Sequence, residues 1–391
     1  MIIELEELVK NEEIEIKTGP FGTQLKAAEY VESGTPVLNV KNLGYSTVVT
    51  TKVDYVGEKT LERLSMHILK EGDIVFGRKG AVDRHAYIGA NEAGWMQGSD
   101  CIRLRVKTNK INPRYLSYYF LTPKHKAFMI SMCSHGTTMA SLNQGILSKI
   151  EIDLPERCIQ DRIVSIIEVL DKKRKTNEKL NKNLEQQAQT IYQQMFIDNA
   201  SSDWTEGTLS DIANIIMGQS PSGSSYNEDG NGTIFFQGRA EFGFRFPTVR
   251  LYTTEPKRMA CANDTLMSVR APVGDLNVAH IDCCIGRGLA AIHSKNNHQS
   301  FVLYTMFSLK KQLDVFNGEG TVFGSINRNS LNEMPILIPS SEKLDEFEAL
   351  VAPMDAVIRN NYDEICRLER LRDSLLPKLM SGELDVSGID L

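Results

Sequence analysis

The chain has 391 residues, of which 41% are hydrophobic and 24% are charged, values typical of a folded protein with two or three domains. This composition excludes a disordered, collagen-like or purely coiled-coil chain, and no apolar run approaches the roughly 18–20 residues of a membrane span. The seven cysteines include no C-x-x-C spacing. We therefore expect reduced thiols, no zinc site and a cytoplasmic protein, whose acidic amino terminus carries no signal peptide.

The net charge of −6 is distributed unevenly along the chain. Residues 340–391 alone carry a net charge of −6, whereas residues 77–149 contain 11 basic against 3 acidic residues. Residues 239–311 contain 10 basic against 5 acidic residues. A basic surplus is usually a solvated face, but two separated basic stretches also suit a polyanion such as DNA. The overall acidity therefore does not exclude a nucleic-acid-binding protein.

The first part of the chain predicts an α+β domain of short strands with peripheral helices. Its predicted elements are a helix-like start at 2–9, a Gly/Pro loop at 19–23, strands at 36–40, 73–76 and 101–106, a helical stretch at 114–130, a Gly-Thr loop at 136–143 and a closing strand at 150–155. Turn residues separate the strands, as expected for short antiparallel pairs.

Residues 159–197 predict a long helix, because apolar residues recur at spacings of three and four with no Pro or Gly between them. The apolar positions are Ile163, Ile166, Leu170, Leu180, Leu184, Ile191 and Met195. Polar Lys173 and Asn177 interrupt this heptad-like pattern. Such interruptions weaken a coiled coil but specify its register.

The second part of the chain repeats the same order of elements. They are a helix-like start at 208–216, a loop at 218–223, a helical stretch at 299–315, a Gly-Thr loop at 320–327, a closing strand at 334–339 and a long helix at 343–380. The apolar positions of the second long helix are Phe347, Leu350, Met354, Val357, Ile365, Leu368, Leu375 and Leu379, interrupted by Asn361. We expect Pro377 to kink or end this helix, with Gly382 as its cap.

The two parts are copies of one unit. The motif G-T-x-x-x-S-[LI]-N at 136–143 returns at 320–327, and the same offset of 184 carries Pro155 onto Pro339 and Asp171 onto Asp355. The strand at Gly72-Asp73 matches Asn263-Asp264 at an offset of 191, a drift that loop insertions would produce. The sequence therefore predicts two copies of one domain, 1–155 and 207–339, and two long helices, 156–206 and 340–391. Since neither helix can bury its apolar stripe alone, we expect an antiparallel pair with one domain at each end.

Motifs of familiar catalytic sites are missing from the sequence. There is no G-x-x-x-x-G-K-[ST] phosphate loop, no G-x-G-x-x-G after a strand and no H-E-x-x-H. The run Asn112-Pro-Arg-Tyr115 resembles the N-P-P-Y loop of amino-methyltransferases, but we interpret it as a turn that begins a helix. His135 in the first Gly-Thr loop is better explained by loop capping than by catalysis. We therefore predict neither catalytic nor metal-binding residues.

Loop residues suited to DNA contact occur at corresponding places in both parts. Phosphate contacts need Lys/Arg, hydroxyl groups and free backbone N–H groups, and base edges are read by Arg, Lys, Asn, Gln, Ser or Thr. The candidates are Thr18, Thr23, Gln24, Lys26, Arg78, Lys79, Arg84, Thr137, Thr138, Ser141, Asn143, Gln219, Ser220, Ser222, Gln237, Arg239, Arg270, Arg287, Thr321, Ser325 and Asn327. Each one alone is more often an ordinary loop or capping residue, but their duplication favours a DNA interface.

In this order of motifs the chain resembles the specificity subunits of type I restriction-modification systems over essentially its whole length. The resemblance is carried by the opening Gly19-Pro-Phe-Gly-Thr23, the Gly72-Asp73 strand, both Gly-Thr loops, the [IL]-x-[IL]-P closings and the run 375–384. One departure is the segment 155–160, Pro-Glu-Arg-Cys-Ile-Gln, which is less apolar than the family's usual P-L-x-x-Q.

The resemblance implies that 1–155 and 207–339 are target-recognition domains of a non-catalytic subunit, which recognises a bipartite double-stranded DNA target. Its partners would be two modification subunits, which bind S-adenosylmethionine and methylate adenine, and optional restriction subunits that use ATP and Mg. No cofactor would bind this chain itself. Two other classes remain open, namely a methyltransferase or nuclease with unrecognised motifs, and a coiled-coil protein adaptor without DNA binding.

Overall fold

The computed structural model describes residues 2–20, 22, 24–133, 140–317 and 324–388. The chain forms two compact units: the first comprises Met1–Lys175 with Cys366–Leu391, and the second comprises Thr176–Ile365. Each unit therefore contains one repeated domain and a part of each long helix. The division between the units falls inside the two long helices, at 175/176 and 365/366. The predicted domain boundaries, which lie at the ends of the helices, therefore stay a prediction.

The first unit begins with the first repeated domain. Its elements are β1 (Ile2–Glu4), α1 (Leu5–Lys10), β2 (Ile14–Thr18), β3 (Tyr30–Val31), β4 (Thr35–Leu38), β5 (Asp54–Val56), α2 (Glu58–Arg63), β6 (Ile74–Gly77), β7 (His85–Tyr87), β8 (Met96–Gln97), β9 (Cys101–Val106), α3 (Pro113–Tyr119), α4 (Pro123–Cys133), α5 (Gln144–Ser148), β10 (Glu151–Asp153) and the long helix α6 (Arg157–Tyr192). The predicted mixture of short strands and peripheral helices is confirmed.

Among the described residues, the strands of this domain form two four-stranded sheets and one strand pair. One sheet has the order β2-β9-β6-β7 and is antiparallel throughout. The other has the order β3-β5-β4-β8, with a parallel pairing of β4 and β8. The pair β1-β10 closes the domain. Strand β6 is buried along its whole length, so its end is held rigidly by the core.

The second unit repeats this arrangement. Its elements are β11 (Thr205–Thr208), α7 (Leu209–Ile212), β12 (Ala213–Met217), β13 (Tyr226–Asn227), β14 (Thr233–Phe236), β15 (Leu251–Thr253), β16 (Met259–Ala260), β17 (Thr265–Val269), β18 (Val273–Val278), β19 (Cys283–Ile285), β20 (Leu289–Ser294), α8 (Gln299–Ser308), α9 (Lys310–Asp314), α10 (Arg328–Asn332), β21 (Pro335–Ile338) and the long helix α11 (Ser341–Met380). Helix α6 enters this unit and ends in a π-helical turn, Gln193–Asp198.

The sheets of the second unit have the same topology as those of the first. The order β12-β20-β17-β18 corresponds to the antiparallel sheet, and β13-β15-β14-β19 corresponds to the mixed sheet, with β16 as an additional edge strand. The parallel pairing of β14 with β19 repeats that of β4 with β8. The strand pair β11-β21 repeats β1-β10. The predicted duplication is therefore confirmed strand by strand.

The two long helices run antiparallel within each unit. In the second unit, the Asn177 side chain donates to Glu364 at 2.6 Å, and Asn361 donates to the Asn181 side chain at 2.8 Å. As the residue number increases along α6, the number of the contacting residue on α11 decreases, so the two helices run in opposite directions. In the first unit, Arg372 of α11 lies 3.7 Å from Asp171 of α6. The predicted pairing is thus present on both sides of the division between the units.

The packed face of the helices differs from the predicted stripe at several positions. Leu180, Leu350 and Val357 are exposed, although their spacing predicted burial. Lys173 is exposed as well, whereas Asn177 is buried as expected. Apolar residues at spacings of three and four can define two overlapping stripes on one helix, and packing against a domain selects one of them.

Pro377 does not end the second helix, and the predicted alternative, a kink at this residue, stays a prediction. The helix continues to Met380, and Gly382 follows with φ +73° as the expected left-handed cap. A proline in the last turn removes one backbone hydrogen bond only. Leu376 and Leu379 are buried in the core of the first unit, and their packing outweighs that loss.

Four shorter predicted helices are also corrected. Residues 2–9 begin as strand β1 before α1, and residues 208–216 contain a single helical turn followed by β12. Burial in β12 alternates with period two, which favours a strand over a helix. The stretches 114–130 and 299–315 are each divided into two helices, and Pro123 begins the second helix of the first pair.

Candidate nucleic-acid interface

In each unit, a basic residue after a central strand is paired with the serine of the Gly-Thr loop. Lys79, two residues beyond the end of β6, forms an isolated antiparallel bridge with Ser141. Arg270, the residue after β17, forms the same bridge with Ser325. The basic positions are 191 residues apart and the serines are 184 residues apart. These are the two offsets between the repeats that the sequence shows, so the two bridges are equivalent positions of the repeat.

Backbone hydrogen bonds hold both bridges in place. In the first unit the N–H of Gly80 donates to the carbonyl of Ala140 at 3.0 Å. In the second unit the N–H of Ala271 donates to the carbonyl of Gly324 at 3.1 Å. Both paired side chains are exposed in each unit. Each bridge therefore presents a cation and a hydroxyl group side by side on a fixed backbone, as a phosphate contact requires.

The Gly-rich opening loops cross another loop of the same domain at very short range. A Cβ atom at Gly19 would lie 2.0 Å from the carbonyl oxygen of Gly98. A Cβ atom at Gly218 would lie 2.1 Å from the carbonyl oxygen of Gly286. Only glycine permits this approach, which explains why a glycine opens the loop in both repeats.

The crossing and the bridge are neighbours. The N–H of Arg78 donates to the carbonyl of Asp100 at 2.8 Å, and the Nζ of Lys79 lies 3.9 Å from the Asp100 carboxylate. In the second unit the N–H of Val269 donates to the carbonyl of Gly288 at 2.9 Å. The opening loop, the loop after β8 or β19, and the bridge therefore meet at one end of each domain.

Four predicted residues of the second unit meet at this place. The N–H of Gln219 donates to the carbonyl of Ile285 at 3.0 Å, and the hydroxyl of Ser220 accepts from the N–H of Arg287 at 3.3 Å. Gln237 lies on the loop after β14, which passes beside the same Gly-rich segment. The side chains of Gln219, Gln237 and Arg287 are exposed.

Two predicted asparagines have a structural role. Asn143 caps α5 and Asn327 caps α10, and each side-chain oxygen accepts from the N–H three residues later at 2.9 Å. The cap satisfies a backbone group that the helix leaves without a partner. The Thr18 hydroxyl accepts from the Gln144 side chain at 2.9 Å, which joins the opening loop to the start of α5.

Three predicted residues make their described contacts away from the bridges. The carbonyl of Gln24 accepts from Arg63 at 2.7 Å, and the N–H of Lys26 donates to Glu29 at 2.8 Å. The Ser222 hydroxyl lies 2.8 Å from the hydroxyl of the serine two residues later. These contacts order the start of the mixed sheet in each domain.

Two predicted arginines are partnered on the surface. The Arg84 guanidinium lies 5.5 Å from the centre of the Tyr45 ring. Arg239 is ion-paired with Asp275, whose carboxylate also lies 3.6 Å from the Nζ of Lys310. Lys310 also lies 3.1 Å from the Asp314 carboxylate, so the two cations of this group are balanced by two carboxylates. The predicted Thr23, Thr137, Thr138 and Thr321, together with His135, lie outside the described residues.

A buried network joins the loop between β4 and β5 to the long helix in the first unit. The Tyr118 hydroxyl donates to Asp171 of α6 at 2.9 Å. Arg114 donates to the Tyr118 hydroxyl at 3.1 Å and to the hydroxyl of Ser46, in that loop, at 2.9 Å. Burial raises the pKa of Tyr118 although Arg114 lowers it, so the phenol stays protonated and donates its hydrogen to the carboxylate.

The second unit contains the corresponding network. Arg245, in the loop between β14 and β15, is ion-paired with Asp355 of α11 and donates to the Tyr304 hydroxyl at 2.9 Å. That hydroxyl donates to Asp355 at 2.9 Å. Glu185 of α6 lies 3.4 Å from Arg245. Burial raises the pKa of Glu185, although the Arg245 charge lowers it.

The structure also resolves the remaining motifs. Asn112 caps α3 by accepting from the N–H of Arg114 at 2.8 Å, with Pro113 in the first turn, so the predicted turn is confirmed. All seven cysteines are free. Within the described ranges, no three His, Cys, Asp or Glu side chains are grouped to hold a metal ion. No helix in the described part of the chain is both long and apolar enough to cross a membrane.

The family model described as "Type I restriction modification DNA specificity domain" matches residues 12–186 and 201–358. The chain belongs to this family of type I specificity subunits. The two matches correspond to the two repeats, each with part of the long helix that follows it.

Curated relatives match along most of their length. The chain is 30% identical to a protein of Methanocaldococcus jannaschii named as the MjaX specificity subunit of a type I restriction enzyme, covering 90% of this chain and 88% of the relative. It is 24% identical to the MjaIX specificity subunit of the same organism, covering 93% and 90%. The solved S subunit of the type I system of M. genitalium superposes with a TM-score of 0.59 at 15% identity, covering 99% and 96% of the two chains, and supports the fold.

Two surface residues of this specificity subunit are absent from the predicted set. Tyr45 is exposed, and the Nζ of Lys126 lies 4.7 Å from the centre of its ring. Lys126 is one of the 11 basic residues of the stretch 77–149, but the charge count alone does not distinguish it from the others. Tyr45 precedes that stretch by more than thirty residues, and only folding brings the two together.

Proposed function

We propose that this chain is the DNA-recognition subunit of a type I restriction-modification enzyme and has no catalytic activity of its own. Each repeated domain binds one half of a bipartite double-stranded target with the surface around its bridge. The observation that carries the proposal is the pair of equivalent bridges, Lys79–Ser141 and Arg270–Ser325, beside Gly-rich crossings in both repeats. A cation, a hydroxyl and exposed amide side chains are the groups that DNA contacts use.

The long helices position the partner subunits in this proposal. The partners are two modification subunits, which carry S-adenosylmethionine and methylate adenine, and optional restriction subunits, which use ATP and Mg. Apolar residues on the outward faces of the helices support a protein contact there, among them Val169, Leu180 and Leu350. Exposed apolar side chains are common one by one, but their recurrence on both long helices suits a subunit interface.

Methylation assays test whether this chain or its modification subunits transfer the methyl group. The purified chain, alone and co-expressed with its modification subunits, would be incubated with DNA and labelled S-adenosylmethionine. We expect methyl transfer by the complex only, and DNA binding by the complex that weakens steeply with salt. Methyl transfer by the chain alone would favour the enzyme alternative. An assembled complex that does not bind DNA would favour the adaptor alternative.

Domain exchange tests the bipartite target. Residues 207–335 would be replaced by those of a relative, and the methylated sequences of host DNA would be mapped. We expect one block of the target to change while the other is retained, because the two bridges lie in separate repeats. A simultaneous change of both blocks would contradict separate recognition.

A further inference from the structure

A four-residue turn in the loop after the second strand of the mixed sheet, β4 or β14, recurs in both repeats with an exposed aromatic residue at its second position. The turns are Gly44–Thr47 and Gly243–Phe246, offset by 199 residues, as are Gly19 and Gly218. Tyr45 is 46% exposed and Phe244 is 48% exposed.

The backbone of each turn is fixed. In the first unit the N–H of Gly44 donates to the carbonyl of Thr47 at 2.9 Å, and the N–H of Ser46 donates to the carbonyl of His85 at 2.9 Å. In the second unit the N–H of Val278 donates to the carbonyl of Arg245 at 2.9 Å. The exposed ring is therefore carried by an ordered turn next to a strand of the antiparallel sheet.

The residue after the exposed ring is buried in both repeats. Ser46 and Arg245 occupy this position, and both belong to the networks that reach the long helices. One side of each turn is thus anchored in the interior while its aromatic residue points to solvent. An anchored, exposed aromatic side chain loses little conformational entropy when a partner covers it.

Charge around Tyr45 identifies the kind of partner. Arg84 and Lys126 lie 5.5 and 4.7 Å from the centre of the ring, and the Tyr45 hydroxyl donates to Asp83 at 2.9 Å. Lys126 and Arg84 come from different elements, so folding concentrates positive charge around one aromatic group. Cations next to an exposed ring suit a nucleic acid, which offers phosphates and flat or apolar bases and sugars together.

We propose that Tyr45 and Phe244 contact the target DNA, each packing against bases or sugars of one half-site, while Arg84 and Lys126 beside Tyr45 bind phosphates. The proposal rests on the proposed function and adds two recognition residues that carry no charge. The exchange of tyrosine for phenylalanine between the repeats indicates that the ring, and not the hydroxyl, makes the shared contact.

The test uses the complete complex with modification subunits and a fluorescent duplex that contains its target. Tyr45→Ala and Phe244→Ala should each weaken binding roughly tenfold, since aromatic contacts to nucleic acid bases are of that strength. Tyr45→Phe, which installs the residue of the other repeat, should bind like the parent. Met66→Ala and Ile281→Ala, at exposed apolar positions in the two units, are the matched controls and should leave affinity unchanged.

Duplexes with one scrambled half-site distinguish a contact to that half-site from a contact that strengthens DNA binding regardless of sequence. On a duplex whose first block is scrambled, Tyr45→Ala should cause no further loss, while Phe244→Ala should still weaken binding. A thermal melt of each variant checks the fold, and Tyr45→Gln provides a second substitution if the alanine variant unfolds. Parental affinity for both alanine variants would overturn the inference, as would an equal loss with Tyr45→Phe. A parent complex that fails to bind DNA would contradict the proposed function instead.

Discussion

Arg114 and Arg245 place their guanidinium groups beside corresponding aspartates of the two repeats, although the two arginines lie on different structural elements. Arg114 extends from α3 towards Asp171, and Arg245 extends from the loop after β14 to Asp355. The aspartates are 184 residues apart, as the repeat requires. The two arginines are not at equivalent positions in the sequence. Both repeats therefore contain the arginine–aspartate pair, but each supplies the arginine from a different position.

A serine occupies the place of the missing arginine in each repeat. Ser46 lies in the loop position that Arg245 holds in the second unit, at the offset of 199. Ser300 lies at the α8 position that corresponds to Arg114, four residues before Tyr304 as Arg114 is four before Tyr118. Both serines are buried. The arginine and the serine have therefore exchanged places between the repeats.

This exchange can be tested by moving the arginine in the second unit. Arg245→Ser should destabilise that unit by about 3 kcal/mol, because it leaves the half-buried Asp355 and Glu185 without their buried cation. Adding Ser300→Arg should recover much of the loss, since an arginine there has the relation to Tyr304 that Arg114 has to Tyr118. Urea unfolding measures both. A double variant no more stable than Arg245→Ser would show that the two positions do not substitute for each other.

Salt dependence tests the predicted cations. Single alanine variants at Arg78, Lys79, Arg84, Arg270 and Arg287 should each lower the salt slope of DNA binding by about one unit when the residue contacts a phosphate. Lys10→Ala is the control, because Lys10 pairs with Glu6 on the surface of α1. Unchanged affinity and slope in all five variants would contradict the proposed interface.

Helix length should set the spacer between the two blocks of the target. Helix α6 has 36 residues and α11 has 40, so at about 1.5 Å per residue they extend roughly 54 and 60 Å. Inserting four residues between Lys182 and Asn183 adds about 6 Å and should lengthen the spacer by one or two base pairs, at about 3.4 Å each. The bases recognised within each block should not change, and sequencing of methylated DNA measures both.

That insertion lies next to the Asn181–Asn361 hydrogen bond, so assembly needs its own check. Gel filtration should show that the complex still contains its modification subunits. An assembled, active complex with an unchanged spacer would assign the distance to something other than these helices.

Acid should destabilise the first unit through two buried histidines. Burial lowers the pKa of His85 and of His125 to about 3 in the folded protein, whereas an unfolded histidine has a pKa of about 6.5. The unfolded state therefore binds protons first, and the stability present above about pH 6.5 is lost as the pH falls towards 3. Between pH 7 and 5 each histidine should cost about 2 kcal/mol.

Urea unfolding at pH 7 and pH 5 measures this loss. His125→Phe should reduce the difference between the two pH values, because a ring without a titrating nitrogen remains among Phe120 and Tyr119. Met129→Leu, at a buried position of the same core without a titrating group, is the control and should leave the difference as in the parent. An unaltered difference in His125→Phe would exclude this histidine as a source of acid sensitivity.

Much of the fold follows from patterns that are local in sequence. The long helices need only an apolar period over about forty residues, and the duplication needs only matching motifs such as Ser141 and Ser325 at one offset. The same patterns leave the face of a helix ambiguous. Leu180 and Leu350 fit the predicted stripe but are exposed, because the domain packed against each helix selects which of two overlapping stripes is buried.

The sequence by itself determined the repeat, the order of the elements and the set of loops that contain candidate DNA-binding residues. Only the tertiary structure decided which candidates meet, since Lys79 and Ser141 are separated by sixty-one residues and no local pattern predicts their pairing. It also decided that Asn143 caps a helix and that Arg114 and Arg245 serve corresponding aspartates. The physical reason is that hydrogen bonds and ion pairs depend on the positions of side chains in space, which residues far apart in the chain acquire only through packing of the core.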